Sequence, residues 1–382
     1  MKRASLVLSL LLAVVALGVA GGVEFQKHVL DTAFRGEGVA TGDVNHDGRL
    51  DVMTGEMWYA APDWKMHEVR KPGKYNKAKG YSKCFQNFAM DVNGDGWVDS
   101  IIVTWPGALT LWCENPQNKP GHWKEHVIHN SVNGETPLFV DLLGNGKKVI
   151  VAGIQPQGVM AWVEPDPDPL KPWIVHPISK PKNPSAARFA HGYGCGDLNG
   201  DGRKDVLCTR GWWEAPEDRT QSPWTFHPVN LGPACADMIV RDFDGDGDAD
   251  VVTSSAHQYG VWWWEHVKTD KGITFKQHEI DKTYSQPHAV ILADMNGDGT
   301  PDLMTGKRHY AHCGNDPGGK DPAMLYWYEV KNPAKGKVEF VRHDVDNNSG
   351  IGTQFEVADM NADGKLDIVI SNKMGVFVFI QK

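Results

Sequence analysis

Long apolar stretches are missing from this 382-residue chain once the first 20 residues are past. That excludes a polytopic membrane protein, since a helical span needs about 20 apolar residues. Cysteine is sparse: Cys84, Cys113, Cys195, Cys208, Cys235 and Cys313 lie far apart with no shared spacing. They make no disulfide framework; Cys195 and Cys208, flanking one acidic loop, are the pair that could join, and the rest read as buried thiols. Positive charge is also in deficit. With 39 Lys and Arg against 48 Asp and Glu, the net charge is −9, which argues against nucleic acid as a partner. Neither collagen-like nor heptad periodicity is present, and there is no G-x-S-x-G, Walker, H-E-x-x-H or Rossmann pattern. Serine hydrolase, NTPase, zincin and dehydrogenase chemistries are therefore disfavoured.

The first 20 residues stand apart. Met1, Lys2 and Arg3 give a short basic start, an apolar run follows from Ala4, and Gly18, Val19 and Ala20 offer small residues for cleavage. This predicts a signal peptide over residues 1–20 and a secreted or periplasmic protein with no membrane span after cleavage. Residues 21–382 are expected to form one domain. Fifteen Trp imply a large packed interior.

One unit recurs. Asp43, Asn45, Asp47, Gly48 and Asp51 form a D-x-[DN]-x-D-G-x-x-D loop. It returns as Asp91, Asn93, Asp95 and Asp99; Asp197, Asn199, Asp201 and Asp205; and Asp242, Asp244, Asp246 and Asp250. Two further copies are Asp294, Asn296, Asp298 and Asp302, and Asp359, Asn361, Asp363 and Asp367. A decayed copy spans residues 141–149, with Leu143 and Val149 at ligand positions. Each unit also carries an aromatic residue three positions before a His, from Phe25/His28 to Phe340/His343, and these seven histidines read as packing rather than catalysis. β-Branched stretches flank each loop, and an aromatic run precedes each aromatic-x-x-His strand. Four short strands per unit, repeated radially, predict an all-β, seven-bladed β-propeller with four antiparallel strands per blade. The chain starts with a lone outer strand, residues 23–30, so that strand is expected to close the last blade beside residues 375–379.

Oxygen donors at loop positions 1, 3, 5 and 9, with Gly at position 6, suit calcium. Up to six structural calcium ions are expected, one per intact loop, and none in the decayed one. These loops resemble the FG-GAP or VCBS repeats of integrin-type propellers, and residues 23–382 resemble exported bacterial single-propeller proteins of that group. The likeness is carried also by segments 255–263, 306–312 and 350–355. It implies fold more than function, because such propellers include adhesion modules, lectin-like binders and sugar-active lyases or dehydratases.

If each acidic loop joins the innermost strand to the second, the opposite rim carries the non-repeating residues. Six residues before each loop the ring reads Glu37, Phe85, Glu135, His191, Ala236, His288 and Thr353; one residue later it includes Gln86, Asp237 and Gln354. His191 and His288, with His257 from the unit between them, are expected to bind zinc and leave an open position. Arg210, Lys307 and Arg308 would hold a substrate anion, His312 would be the base, and Asp237 stands in reserve. The longest connection, residues 307–324, is expected to overhang this rim as a lid. Trp58, Tyr59 and Trp212 are the candidates for stacking on a sugar ring. The sequence thus points to metal-assisted elimination on a sugar or uronate, by a lyase or dehydratase. The other reading is a non-catalytic module that binds carbohydrate or an extracellular protein.

Overall fold

The computed structural model describes residues 17–20, 22–232, 235–270 and 272–382. Residues 1–16, most of the expected signal peptide, lie outside the described residues, while Leu17–Ala20 pairs as an edge strand with residues 23–26. Among the described residues no helix is long and apolar enough to cross a membrane. The chain is all-β, with two short 3-10 turns, Pro184–Ala186 and Ala311–Gly314.

Strands follow one another as antiparallel neighbours, as in Ala40–Gly42, Asp51–Thr54, Met57–Ala60 and Lys65–Glu68. Each acidic loop is the tight turn between the first two strands of such a set. Its last Asp explains why the repeat needs it. Asp51 Oδ2 accepts the Val44 N–H and its Oδ1 the Ala61 N–H, so one buried carboxylate ties the loop to the far end of the third strand. Asp99, Asp205, Asp250, Asp302 and Asp367 repeat this pair of contacts. In the decayed copy Asp141 still accepts the Asn145 and Gly146 N–H groups, and Lys204 donates to its carbonyl.

The aromatic-x-x-His strands serve the packing. Trp112, Trp162, Trp212, Trp263 and Trp327 stack on His126, His176, His227, His278 and His343, with ring centroids 3.7–4.5 Å apart. In each case the Nε2 of the histidine meets the carboxylate two residues after that Trp: Glu114, Glu164, Glu214, Glu265 or Glu329. A Trp-x-Glu signature in the sequence marks these triads. Tyr59 and Trp212 belong to this interior, at 0% and 4% exposure, so they are not available to stack on a sugar. Trp58 stacks on His67 but stays partly exposed and lines a separate cleft with Asn118 and His122. All six cysteines are free, so Cys195 and Cys208 form no bridge.

The first strands of successive sets touch one another in a closed cycle, from Ala40–Gly42 through Gln86–Met90 and on to Phe355–Ala358, which returns to Ala40–Gly42. Between Tyr193–Gly196 and Cys235–Arg241 the approach is close enough for parallel pairing. Gly194 and Gly196 permit it, because a Cβ there would lie 2.6 and 2.4 Å from Met238 and Val240. Apolar cores fill the spaces between neighbouring sets rather than one central volume. In one, Val151 and Trp162 meet Val206, Trp213 and Trp224. Val23–Asp31 pairs antiparallel with Gly375–Gln381, so the beginning and end of the chain share one sheet.

Candidate active site

Four side chains converge on one rim of the cycle. Glu135 follows Gly134, whose φ of 94° lies within a register shift of the long strand Lys124–Val140. The irregularity turns Glu135 out of the ladder. His191 and His288 each stand two residues before a strand, Tyr193–Gly196 and Val290–Ala293. His257 comes from the connection between Asp250–Ser255 and Tyr259–Thr269. One donor atom from each of the four lies within 4.8 Å of the others. His257 Nε2 is 3.0 Å from His191 Nε2, and Glu135 Oε2 is 3.3 and 3.4 Å from Nε2 of His191 and His288.

These spacings match donors of one small cation, which at about 2.0–2.1 Å per ligand sit roughly 3.3–3.5 Å apart in a tetrahedron. Two further observations fit a metal. His288 is fully buried, its Nδ1 has no hydrogen-bond partner, and its Nε2 has only the 3.4 Å approach of Glu135, a rare state for a buried polar group. His257 Nδ1 meets Asp316 Oδ2 at 3.2 Å, which leaves the Nε2 lone pair facing the cluster. Burial, then the neighbouring His191 and Arg308, pushes His257 down to about 4. Burial and Arg308 hold His288 well below its ordinary value. Both rings are therefore neutral donors at neutral pH. Burial would raise Glu135, but the His191 and His288 rings and the Arg308 charge outweigh it and keep the carboxyl ionised.

Arg308 lies beneath this cluster at 1% exposure. Its Nη1 donates to Glu135 at 3.1 Å, and its Nε and Nη2 both donate to Glu37 Oε2. The guanidinium is thus committed to positioning Glu135, not turned outward to an anion. Lys307 is equally buried and donates to Gln286, which in turn donates to Asp316. Burial lowers the Lys307 ammonium below its usual range. His312 stacks on His257 at 4.5 Å and its Nδ1 meets Asp316 at 2.8 Å, with half of its side chain exposed. It sits in the 307–324 connection at a left-handed φ of 44°, and its backbone N–H donates to the Tyr81 hydroxyl. Asp237 stays apart, accepting the Val290 N–H, and burial pushes it up to about 7. Arg210 is exposed and lines a separate cleft with Thr209 and Asn230.

Above the cluster opens a cavity of about 440 Å³, walled by Tyr81, Phe85, Trp105 and Phe189 and floored by Glu135, His191, His257 and His312. The structure thus brings His191, His257, His288 and His312 together and adds Glu135, Asp316 and an aromatic wall that sequence reasoning did not select. Glu135 was within reach of that reasoning, since it occupies the same place before its loop as His191 and His288. Asp316 lies in the long 307–324 connection, and Trp105 stands two residues past its second strand, as His257 does in its own set.

An FG-GAP-like repeat model matches residues 242–305. No curated protein matches the chain. Similar solved structures include an Agrocybe aegerita lectin described for recognition of non-reducing terminal N-acetylglucosamine. The two are 15% identical over 94% of this chain and 86% of the lectin, with a TM-score of 0.49. Others are the exotype rhamnogalacturonan lyase YesX (11% identity, 96% and 75% coverage, TM-score 0.48) and the V. cholerae biofilm matrix protein Bap1 (11%, 92% and 81%, 0.36). At these values none of them bears on what this chain binds or converts.

Proposed function

We propose that the chain is an exported, seven-bladed propeller of FG-GAP/VCBS type whose Glu135–His191–His257–His288 centre holds a zinc-like ion and eliminates across a sugar or uronate. The convergence of those four donors under an aromatic-walled cavity carries this reading. Three imidazoles and a carboxylate suit zinc better than calcium or magnesium. Glu135 fills the position that three histidines alone would leave open, so a bound ion would supply Lewis acidity at a carboxylate or carbonyl oxygen only by taking that oxygen as a fifth ligand. The protein's own groups do the rest. Tyr81, Trp105 and Phe189 pack against a sugar ring and keep water out. His312, with Nδ1–H held by Asp316, presents a basic Nε2 to the cavity and takes the proton from the carbon beside the acid group. The C–H electrons become the new C=C bond as the C–O bond to the leaving group breaks.

Two variants test this, with bound metal measured by elemental analysis and unsaturated product by ultraviolet absorbance. His257→Ala should lose both metal and turnover. His312→Ala should keep the metal and lose turnover by about 10²–10⁴-fold, the usual worth of a general base. Full turnover in His312→Ala would remove it from the mechanism. The non-catalytic carbohydrate-binding reading, which the aromatic wall also favours, takes over if metal-loaded protein binds uronates and converts none.

The acidic loops fit calcium. The carboxylates of Asp242, Asp244 and Asp246 approach within 4.8 Å of one another, which without a cation is repulsive. Chelation in the His257→Ala background, where the rim metal is already gone, should lower the melting temperature. Calcium stoichiometry should reach six; a seventh tight ion would mean that residues 141–149 also bind. An unchanged melting temperature would end the staple reading.

A further inference from the structure

The net charge of −9 conceals a local reversal. Residues 70–83 hold Arg70, Lys71, Lys74, Lys77, Lys79 and Lys83 and no acid. Arg70 is tied to Glu56 and Glu125, both at 3.8 Å. The five lysines are exposed, and among the described residues none has a carboxylate within ion-pair distance. Exposed like charges on one short connection give a local positive potential that attracts anions.

The place of this connection is informative. It joins Lys65–Glu68 to Gln86–Met90 and contains Tyr81, the residue that walls the cavity and accepts the His312 N–H. Lys373 Nζ lies 3.9 Å from the Tyr81 ring centroid and 5.9 Å from that of Phe34. Burial, then the charges of Lys307, Lys77 and Lys373, pushes His309 down to about 4. Beside it lies a cleft of about 580 Å³ lined by Phe34, Arg35, Lys74, Tyr75 and Lys77. Phe34 and Tyr75 meet edge to face at 6.1 Å. Aromatic rings beside fixed cations recognise a sugar ring carrying an acid group.

We infer that this cleft and the lysines of residues 70–83 form a subsite for a polyuronate chain, whose end passes Tyr81 into the Glu135–histidine cavity. The inference rests on the uronate reading of that cavity and gives its substrate as a polymer rather than a free sugar. Regular carboxylates along a glycan match lysines that no carboxylate among the described residues neutralises, and the connection that bears them also carries Tyr81 of the cavity wall. Binding should accordingly weaken with added salt.

The test compares polygalacturonate and free galacturonate by calorimetry in the wild type, in the triple variant Lys74→Gln/Lys77→Gln/Lys79→Gln, and in the corresponding triple Lys→Arg variant. The Gln variant should bind the polymer about tenfold more weakly, in keeping with several exposed ion pairs of small individual worth. It should bind galacturonate and melt as the wild type does, and the Arg variant should keep polymer affinity. Unchanged polymer affinity in the Gln variant overturns the inference. So does lysine-dependent binding of phosphatidylserine vesicles or duplex DNA in place of polygalacturonate. Failure of the cavity reading registers separately, as full turnover in His312→Ala.

Discussion

Arg308→Met should lower the unfolding free energy by about 3–5 kcal/mol, the cost of stranding buried charges by removing one partner. The guanidinium, Glu37 and Glu135 are 1%, 2% and 7% exposed, so water screens none of them. Without Arg308 the two carboxylates lose the cation they share, and Glu37 Oε1 already lacks a hydrogen-bond partner. Lys373, 4.0 Å from Glu37, is the nearest remaining cation for that carboxylate. Urea unfolding measures the loss. Adding Glu37→Gln to the variant should return part of it, because one stranded charge is gone. If Arg308→Met unfolds at the wild-type midpoint, the ion cluster is not holding the rim.

Deleting residues 23–31 should abolish soluble protein altogether. That strand covers Val376, Phe377, Val378 and Phe379, all at most 5% exposed, and carries Phe25 into the neighbouring core. It also holds Lys27, which pairs with Asp346 at 2.9 Å. Its removal bares a long apolar edge of the kind that joins to other chains. Appending residues 23–31 after Lys382 should restore solubility. Phe25 and Gln381 are already opposite each other, so a short turn suffices. Sedimentation and circular dichroism of the two variants decide the matter. A stable monomer from the deletion alone would show that the cycle closes without this strand.

Fold was legible because it is written repeatedly. The buried last Asp of each loop serves the same two amide groups every time, so its period is a direct image of the architecture. The rim histidines were legible by register, as exceptions within that period. Arg308 was misjudged because charged side chains are mostly exposed, and nothing in the sequence near residue 308 announces Glu37 and Glu135. They lie 271 and 173 residues away. Trp212 and Tyr59 were misjudged for the opposite reason: their places beside connections suggested exposure, while the His227 ring covers Trp212 and apolar side chains such as Val369 and Val378 from the last strands cover Tyr59. The lysines of residues 70–83 vanish in a whole-chain charge sum, and only their shared rim with Tyr81 gives them meaning.

The pairing of Val23–Asp31 with Gly375–Gln381 also sets a timetable. Val23–Asp31 must wait for Gly375–Gln381, and Lys27 meets a partner 319 positions further along the chain. Such distant pairing makes closure slow compared with the hairpins between. A nascent chain can therefore form its internal meanders and still remain an open arc until its final residues are free. Glu135, His191, His257 and His288 come from four separate connections or strands of that arc, so the rim site is among the last features to acquire its geometry.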